Sequence, residues 1–347
     1  MIHFNCDYSE GAHPSILEKL LQTNLEQTSG YGNDPYCRQA ASLIKKLCNA
    51  PEADVHFLCG GTQTNLTVIA ACLRPYQCVI SADSGHINVH EAGAIEATGH
   101  RVYALPSKEG KITAAQIASV CKSHWLDDNP EFAPQPKLVY LSFPTEYGTL
   151  YSKEELTAIR RTCDENNLFL FIDGARLGYG LESEANDLSI TDLAACCDIF
   201  YIGGTKIGAL LGEAVVIPNK KLQKDFRYFM KQKGGILAKG RLLGIQFLSL
   251  LENGLYFELS RHANKMALQI RHACLEAGLT SWCDSFTNQQ FFVMPNDLVA
   301  KLEQVYMLSH TCYLNKNETV VRFCTSWATR EEDVCQLTAD IRKYAGK

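Results

Sequence analysis

Leu170-Phe171-Ile172-Asp173-Gly174-Ala175-Arg176-Leu177-Gly178 is the stretch on which the reading of this chain turns. An apolar run too short for a helix delivers an acid at its end, followed by a glycine, a small residue and an arginine. Strands buried on both faces of a parallel sheet have this continuous apolar composition, with no polar alternation. In open α/β sheets ligands bind beyond the C-terminal ends of the strands, which is where Asp173 would stand. Taken alone, Asp173 is better read as an ordinary strand-end acid that caps the next turn.

Neighbouring stretches change that balance. Downstream, Asp198-Ile199-Phe200-Tyr201-Ile202 runs into Gly203-Gly204-Thr205-Lys206-Ile207-Gly208. A lysine among glycine, threonine and apolar residues at a buried strand end is partly desolvated, which favours its neutral, nucleophilic amine. Upstream, Leu58-Cys59-Gly60-Gly61-Thr62-Gln63-Thr64-Asn65 reads as a strand that ends in Gly-Gly-Thr and opens a helix. Free N–H groups at Gly61 and Thr62 would form a phosphate cup there. The stretch is neither a Walker A loop nor GxGxxG. After the strand-like Cys78–Ser81 comes Ser84-Gly85-His86-Ile87-Asn88-Val89-His90-Glu91. The flat imidazole of His86 can stack on an aromatic ring and relay protons, whereas His90 reads as an ordinary loop histidine.

Short apolar runs also occur at Val55–Cys59, Arg101–Leu105 and Lys137–Phe143, giving with Cys78–Ser81, Leu168–Ile172 and Asp198–Ile202 a set of buried strands. Helical patterns lie among them at Thr62–Leu73, Ala114–His124 and Lys153–Asn167, and ahead of them at Ser15–Gln27 and Tyr36–Asn49. This alternation predicts an α/β fold, a mainly parallel sheet with helices on both faces. The polar, Pro-containing 127–136 stretch reads as a surface loop. A Gly-rich segment, Lys233–Gly240, precedes a helical pattern that runs from Arg241 to about Ala277. Strand-like Gln290–Met294 and Thr319–Thr325 and a last helix, Arg330–Tyr344, complete a small α+β domain. The expected division is an N-terminal segment 1–15, a large domain 16–245 and a small domain 246–347.

Composition removes several function classes. With 38 acidic and 33 basic residues the net charge is −5, which leaves no electrostatic footprint for nucleic acid or an anionic membrane. No apolar stretch reaches the roughly 18–20 residues of a membrane span. Met1–Asp7 lacks the basic and apolar regions of a signal peptide. The 15 cysteines are scattered and odd in number, without zinc spacing, so reduced thiols, no metal and a cytoplasmic location are expected.

Asp-Gly-Ala-Arg at 173–176 and Gly-Gly-Thr-Lys at 203–206, with Gly61-Thr62 and His86-x4-Glu91 upstream, resemble the low-specificity threonine aldolases and their β-eliminating lyase relatives. The resemblance extends to Gly11-Ala12-His13-Pro14, to Tyr31-Gly32-Asn33-Asp34-Pro35 and to Val321-Arg322-Phe323-Cys324-Thr325, and so covers nearly the whole chain. It implies the aspartate-aminotransferase fold (fold type I) and pyridoxal 5'-phosphate as cofactor. Lys206 would hold the cofactor covalently, Asp173 would pair with its pyridine nitrogen, His86 would stack on the ring, and Gly61 and Thr62 would hold the phosphate. Arg176 and Arg322 would contact cofactor or substrate, Arg322 gripping the substrate carboxylate in a bidentate pair. Tyr31 would line the site, and Glu91 would orient the histidine. The implied reaction cleaves L-threonine, L-allo-threonine or a related β-hydroxy-α-amino acid to glycine and an aldehyde, with His86 taking the hydroxyl proton. β-Elimination, transamination and racemisation are the alternatives on the same scaffold. The resemblance also implies a homodimer or homotetramer, with Tyr31 or the 234–240 segment reaching across subunits. There are departures from the family pattern. Cys6 stands where such enzymes carry serine, Ser326 where they carry histidine, and Gly234-Gly235 replaces a Met-Arg-Gln region whose phosphate charge Lys239 would supply instead.

Overall fold

The structure, a computed structural model, describes residues 1–345. All six apolar runs form strands, here β1 (Asp54–Leu58), β2 (Gln77–Ala82), β3 (Arg101–Leu105), β4 (Gln135–Ser142), β5 (Phe169–Asp173) and β6 (Ile199–Gly203). A seventh, β7 (Glu213–Ile217), has no counterpart among the sequence expectations. The sheet order is β1-β7-β6-β5-β4-β2-β3, and β7 alone runs antiparallel to its neighbours. Only Gly204–Gly212 separates β6 from β7, too little chain for a parallel crossover, so the strand must return antiparallel. The apolar Ile207–Leu211 segment merges with β7 in sequence, which hides the strand.

The expected helices form at Pro14–Gln22, Pro35–Leu47, Gly61–Cys72, Ala114–Trp125, Lys153–Glu165 and Glu331–Tyr344. Lys153–Glu165 begins with a reciprocal cap, in which Ser152 accepts from the Glu155 N–H and Glu155 accepts from the Ser152 N–H. The first helix stops at Gln22 rather than running to Gln27, because Thr23 turns its hydroxyl onto the Lys19 carbonyl (2.7 Å) and closes the last turn. The pattern from Arg241 to Ala277 is two helices, Arg241–Leu251 and Leu255–Glu276, rather than one. Gly254 breaks it with a φ of 76°, a left-handed conformation that glycine adopts without a Cβ clash.

The helix Leu255–Glu276 serves two cores. Its first turns place Tyr256, Leu259 and Ala263 against the large-sheet core. Its later turns place Met266, Ile270 and Cys274 with Phe292, Phe323 and Ile341 of the C-terminal unit. That unit is a four-stranded antiparallel sheet ordered Ser309–Tyr313, Glu318–Cys324, Gln289–Pro295, Thr280–Ser281. Phe4 is buried in the same cluster, and Ile2–His3 pairs with Tyr306–Met307, so the start of the chain packs on its last third. β1, β5 and β6 run in one direction. Their C-terminal ends therefore bring Gly60-Gly61, Asp173 and Lys206 to the same edge of the sheet.

Candidate active site

Asp173 ends β5 and is 4% exposed. Tyr140 of β4 donates to its Oδ2 (2.6 Å), Asn65 donates to the same oxygen (3.0 Å), and the Ala175 N–H donates to Oδ1 (3.0 Å). The Tyr201 hydroxyl of β6 also donates to Oδ1. Burial alone would raise this carboxyl, but the nearby His86 and the two tyrosine hydroxyls outweigh it and hold it below the usual carboxylate range. It is a preset anion.

The network continues outward. Asn65 Nδ2 also donates to Glu91 Oε1 (2.7 Å), and His86 Nδ1 lies 2.7 Å from that same oxygen. Asn65 lies on the helix Gly61–Cys72, which opens at Gly61 and Thr62, and its first N–H groups have no partner within the helix. A Cβ at Gly61 would lie 3.3 Å from the Tyr201 hydroxyl, tighter than most real contacts, so glycine keeps the cavity wall close to β6.

Lys206 follows β6. Burial and the neighbouring Arg176 depress its ammonium, while Asp7, Asp173 and Glu213 pull the other way. Its Nζ makes no ion pair among the described residues. Glu213, at the start of β7, accepts from the Thr205 hydroxyl (3.1 Å), and burial lifts its carboxyl to about 8.

Two cavities meet at this lysine. The inner one, about 280 Å³, is lined by Gly61, Thr62, His86, Asp173, Arg176 and Lys206. The outer cleft, about 900 Å³, shares His86, Arg176 and Lys206 and adds His90, His310 and Arg322. Arg322 donates to Asn5 O (2.8 Å) and Gln289 Oε1 (3.2 Å), and its buried Nε has no partner among the described residues. Arg176 is held by Asp7 in a two-point ion pair of 2.7 and 3.0 Å, and Asn288 also donates to Asp7 (2.9 Å).

Tyr31 lies elsewhere. It is 50% exposed beside a separate hollow lined by Arg227, Gly235 and Gly240, with Lys231 Nζ 5.3 Å from its ring centre. Lys239 is exposed and lines neither Lys206 cavity. The structure thus brings Lys206, His86, Asp173, Gly61, Thr62, Arg176 and Arg322 together and leaves Tyr31 outside within one chain. Asp7, Asn65, Tyr140, Glu146, Tyr201 and Glu213 also reach the site, and sequence reading gave none of them a role. The signal for Asn65 and Glu213 lay in the quoted helix start and in the apolar run after Lys206. Asp7 adjoins the Cys6 departure, whereas Tyr140, Glu146 and Tyr201 had no local signal.

These groups suit a phosphorylated pyridine aldehyde. An ionised acid stands on one wall for a ring N–H, an unpaired amine on another for the aldehyde carbon, and a helix N-terminus with a threonine takes the phosphate. The fold leads to the same group. A solved structure of Leishmania major threonine aldolase superposes with a TM-score of 0.97, 42% identity and full coverage of both chains. A Thermus thermophilus aspartate aminotransferase, 15% identical, matches with a TM-score of 0.69 over 99% of this chain and 91% of that one, a likeness of fold alone. The fold is thus type I of the pyridoxal-phosphate enzymes, an α/β arrangement with a mostly parallel mixed sheet. Among curated relatives, the low specificity L-threonine aldolase of Pseudomonas sp. (strain NCIMB 10558) is 30% identical over 342 residues, 98% of this chain and 96% of that protein. The Saccharomyces cerevisiae enzyme of the same name is 24% identical, over 82% of this chain and 72% of that one. The family model described as beta-eliminating lyase matches residues 6–296. The chain belongs to the beta-eliminating lyase family.

Proposed function

We propose that this protein is a pyridoxal-phosphate-dependent carbon–carbon lyase that cleaves L-threonine, L-allo-threonine or a related β-hydroxy-α-amino acid to glycine and an aldehyde. The carrying observation is that Asp173, Lys206 and the Gly61-Thr62 helix start line one cavity of about 280 Å³, opening on a cleft that holds Arg322. Relatives that align along nearly the whole chain bear the name threonine aldolase.

In this reading Gly61 and Thr62 hold the cofactor's phosphate, Asp173 pairs with its ring nitrogen, and Lys206 provides the amine of the covalent attachment. His86, fixed by Glu91, lies against the ring. When bound, pyridoxal phosphate supplies an aldehyde carbon for amines and a ring that accepts electron density from Cα. The ionised Asp173 keeps a ring proton in place, which maintains that capacity. Arg322, which lines the outer cleft, takes the substrate carboxylate and so fixes the torsion that selects which Cα bond breaks. Arg176, anchored by Asp7, faces both cavities and adds positive charge beside cofactor or substrate.

The division into 16–245 as the cofactor-holding unit and 246–347 as the smaller one belongs to the same proposal, as does a homodimer or homotetramer in which Tyr31 serves a second copy's site. Its half-exposed position outside the Lys206 cavities supports that placement. A cytoplasmic location accords with a chain in which no described helix is long and apolar enough to cross a membrane. The family description itself favours β-elimination as the second reading.

One assay separates the two. Purified protein with pyridoxal phosphate is given L-threonine and L-allo-threonine, and glycine and acetaldehyde are measured beside pyruvate from serine. Glycine with stoichiometric aldehyde is expected; pyruvate from serine without aldehyde from threonine would refute the aldolase reading.

A further inference from the structure

We infer that Glu146, rather than His86, is the group that takes the proton from the substrate's β-hydroxyl, an inference that rests on the lyase reading. Glu146 lies just beyond β4, at the junction of the two cavities. Five residues line both the inner cavity and the outer cleft, namely Tyr8, His86, Glu146, Arg176 and Lys206, and Glu146 is the one carboxylate in that set. A substrate whose amine lies at Lys206 and whose carboxylate lies at Arg322 passes its β-substituent through this junction.

The carboxylate is also oriented. Its Oε1 accepts from the Ser142 hydroxyl (2.6 Å) and from the His86 backbone N–H (2.8 Å). Both bonds fall on one oxygen. No other described residue donates to Oε2, which is left to the cavity. His86 is differently placed, because its Nδ1 is committed to Glu91 at 2.7 Å, a bond that fixes the ring as a flat surface. Burial lifts the Glu146 carboxyl above its usual range, Ser142 lowers it and Asp173 raises it further, and a base with a raised pKa is better matched to a proton exchanged near neutrality.

The step balances without another reactant. The O–H bond breaks and its proton goes to Oε2, while the O–H electron pair becomes the second carbon–oxygen bond of the aldehyde. The Cα–Cβ pair stays with Cα, which later takes up one proton to give glycine. The net change moves one proton from oxygen to carbon.

Glycine offers an internal control, since it has no β-hydroxyl yet exchanges its α-proton through the same cofactor and Lys206. The holoenzyme and Glu146→Gln are compared in threonine cleavage, in deuterium exchange into glycine from D2O, and in visible absorption of bound cofactor. We expect the ratio of cleavage to exchange to fall roughly a hundred- to thousandfold in Glu146→Gln, with the cofactor absorption kept. An unchanged ratio would overturn the assignment, whether both rates persist or both fall together. Should Glu146→Gln fail to fold or to hold cofactor, Glu146→Ala with added formate decides. Recovery of cleavage by formate supports the role, and no recovery removes it. Failure of the underlying reading looks different, because the unaltered protein itself would then neither bind pyridoxal phosphate nor exchange glycine's proton.

Discussion

At the Asp173 end of the inner cavity four donors from two strands, a helix and a turn converge on one carboxylate, whereas at its mouth neither Lys206 Nζ nor Glu146 Oε2 has a partner in another residue among the described residues. The acid is fully hydrogen-bonded before any ligand arrives. The mouth is completed only by one. Polar atoms left open on a cavity, unlike those tied into a protein network, are free to meet a ligand's own donors and acceptors.

That contrast can be broken most directly at the lysine. Lys206→Ala should abolish visible cofactor absorption and lower glycine formation roughly a thousandfold or more, while thermal stability stays close to the parent's. Retained turnover with retained colour would place the covalent amine elsewhere. The next effect concerns stability. Asp7→Asn leaves Arg176 buried without its counter-ion, and the expected loss is about 3–5 kcal/mol, read from denaturant midpoints. A change within error would mean that water or another acid reaches the guanidinium. Arg322→Lys keeps the charge but loses the planar two-point grip, so KM for threonine should rise about ten- to hundredfold with a smaller change in kcat. A fall in kcat at constant KM would place Arg322 outside carboxylate binding.

The smallest effect sharpens the comparison through pH. Glu213 is raised by burial to about 8, so the folded protein holds this proton more tightly than the unfolded chain does. Its share of stability is therefore full below the ordinary carboxyl pKa of about 4.3 and is lost as pH rises through the raised value. Glu213→Gln has no proton to lose. Urea midpoints of parent and variant should run close at about pH 4 and diverge steadily in the variant's favour up to about pH 8; parallel curves would show that Glu213 is ionised throughout.

Much of the sheet is legible in the sequence because buried parallel strands leave unbroken apolar runs, and the groups at their ends are named by position. Asp173, Lys206 and Gly61-Thr62 are readable for that reason. β7 is not, because only Gly212-Glu213 separates its apolar run from the one that precedes it. Gly254 is a single residue inside a strong helical pattern, and only its backbone angle shows the break. Tyr140 and Tyr201 look like ordinary strand aromatics until the pairing of β4, β5 and β6 turns their hydroxyls to one acid. Glu146 resembles any loop glutamate. For Tyr31 the sequence supplies a motif, but a motif does not say whether its residue serves its own chain or a neighbour.

The opening residues tie both guanidinium groups to the small core. Phe4 is anchored among the C-terminal helices, Asn5 offers its carbonyl to Arg322, and Asp7 clasps Arg176. Loosening residues 2–7 would release both arginines together. On the proposed function, the charge that faces substrate and the anchoring of residues 2–7 are one mechanical unit, and damage far from the lysine would be felt as a substrate that no longer sits still.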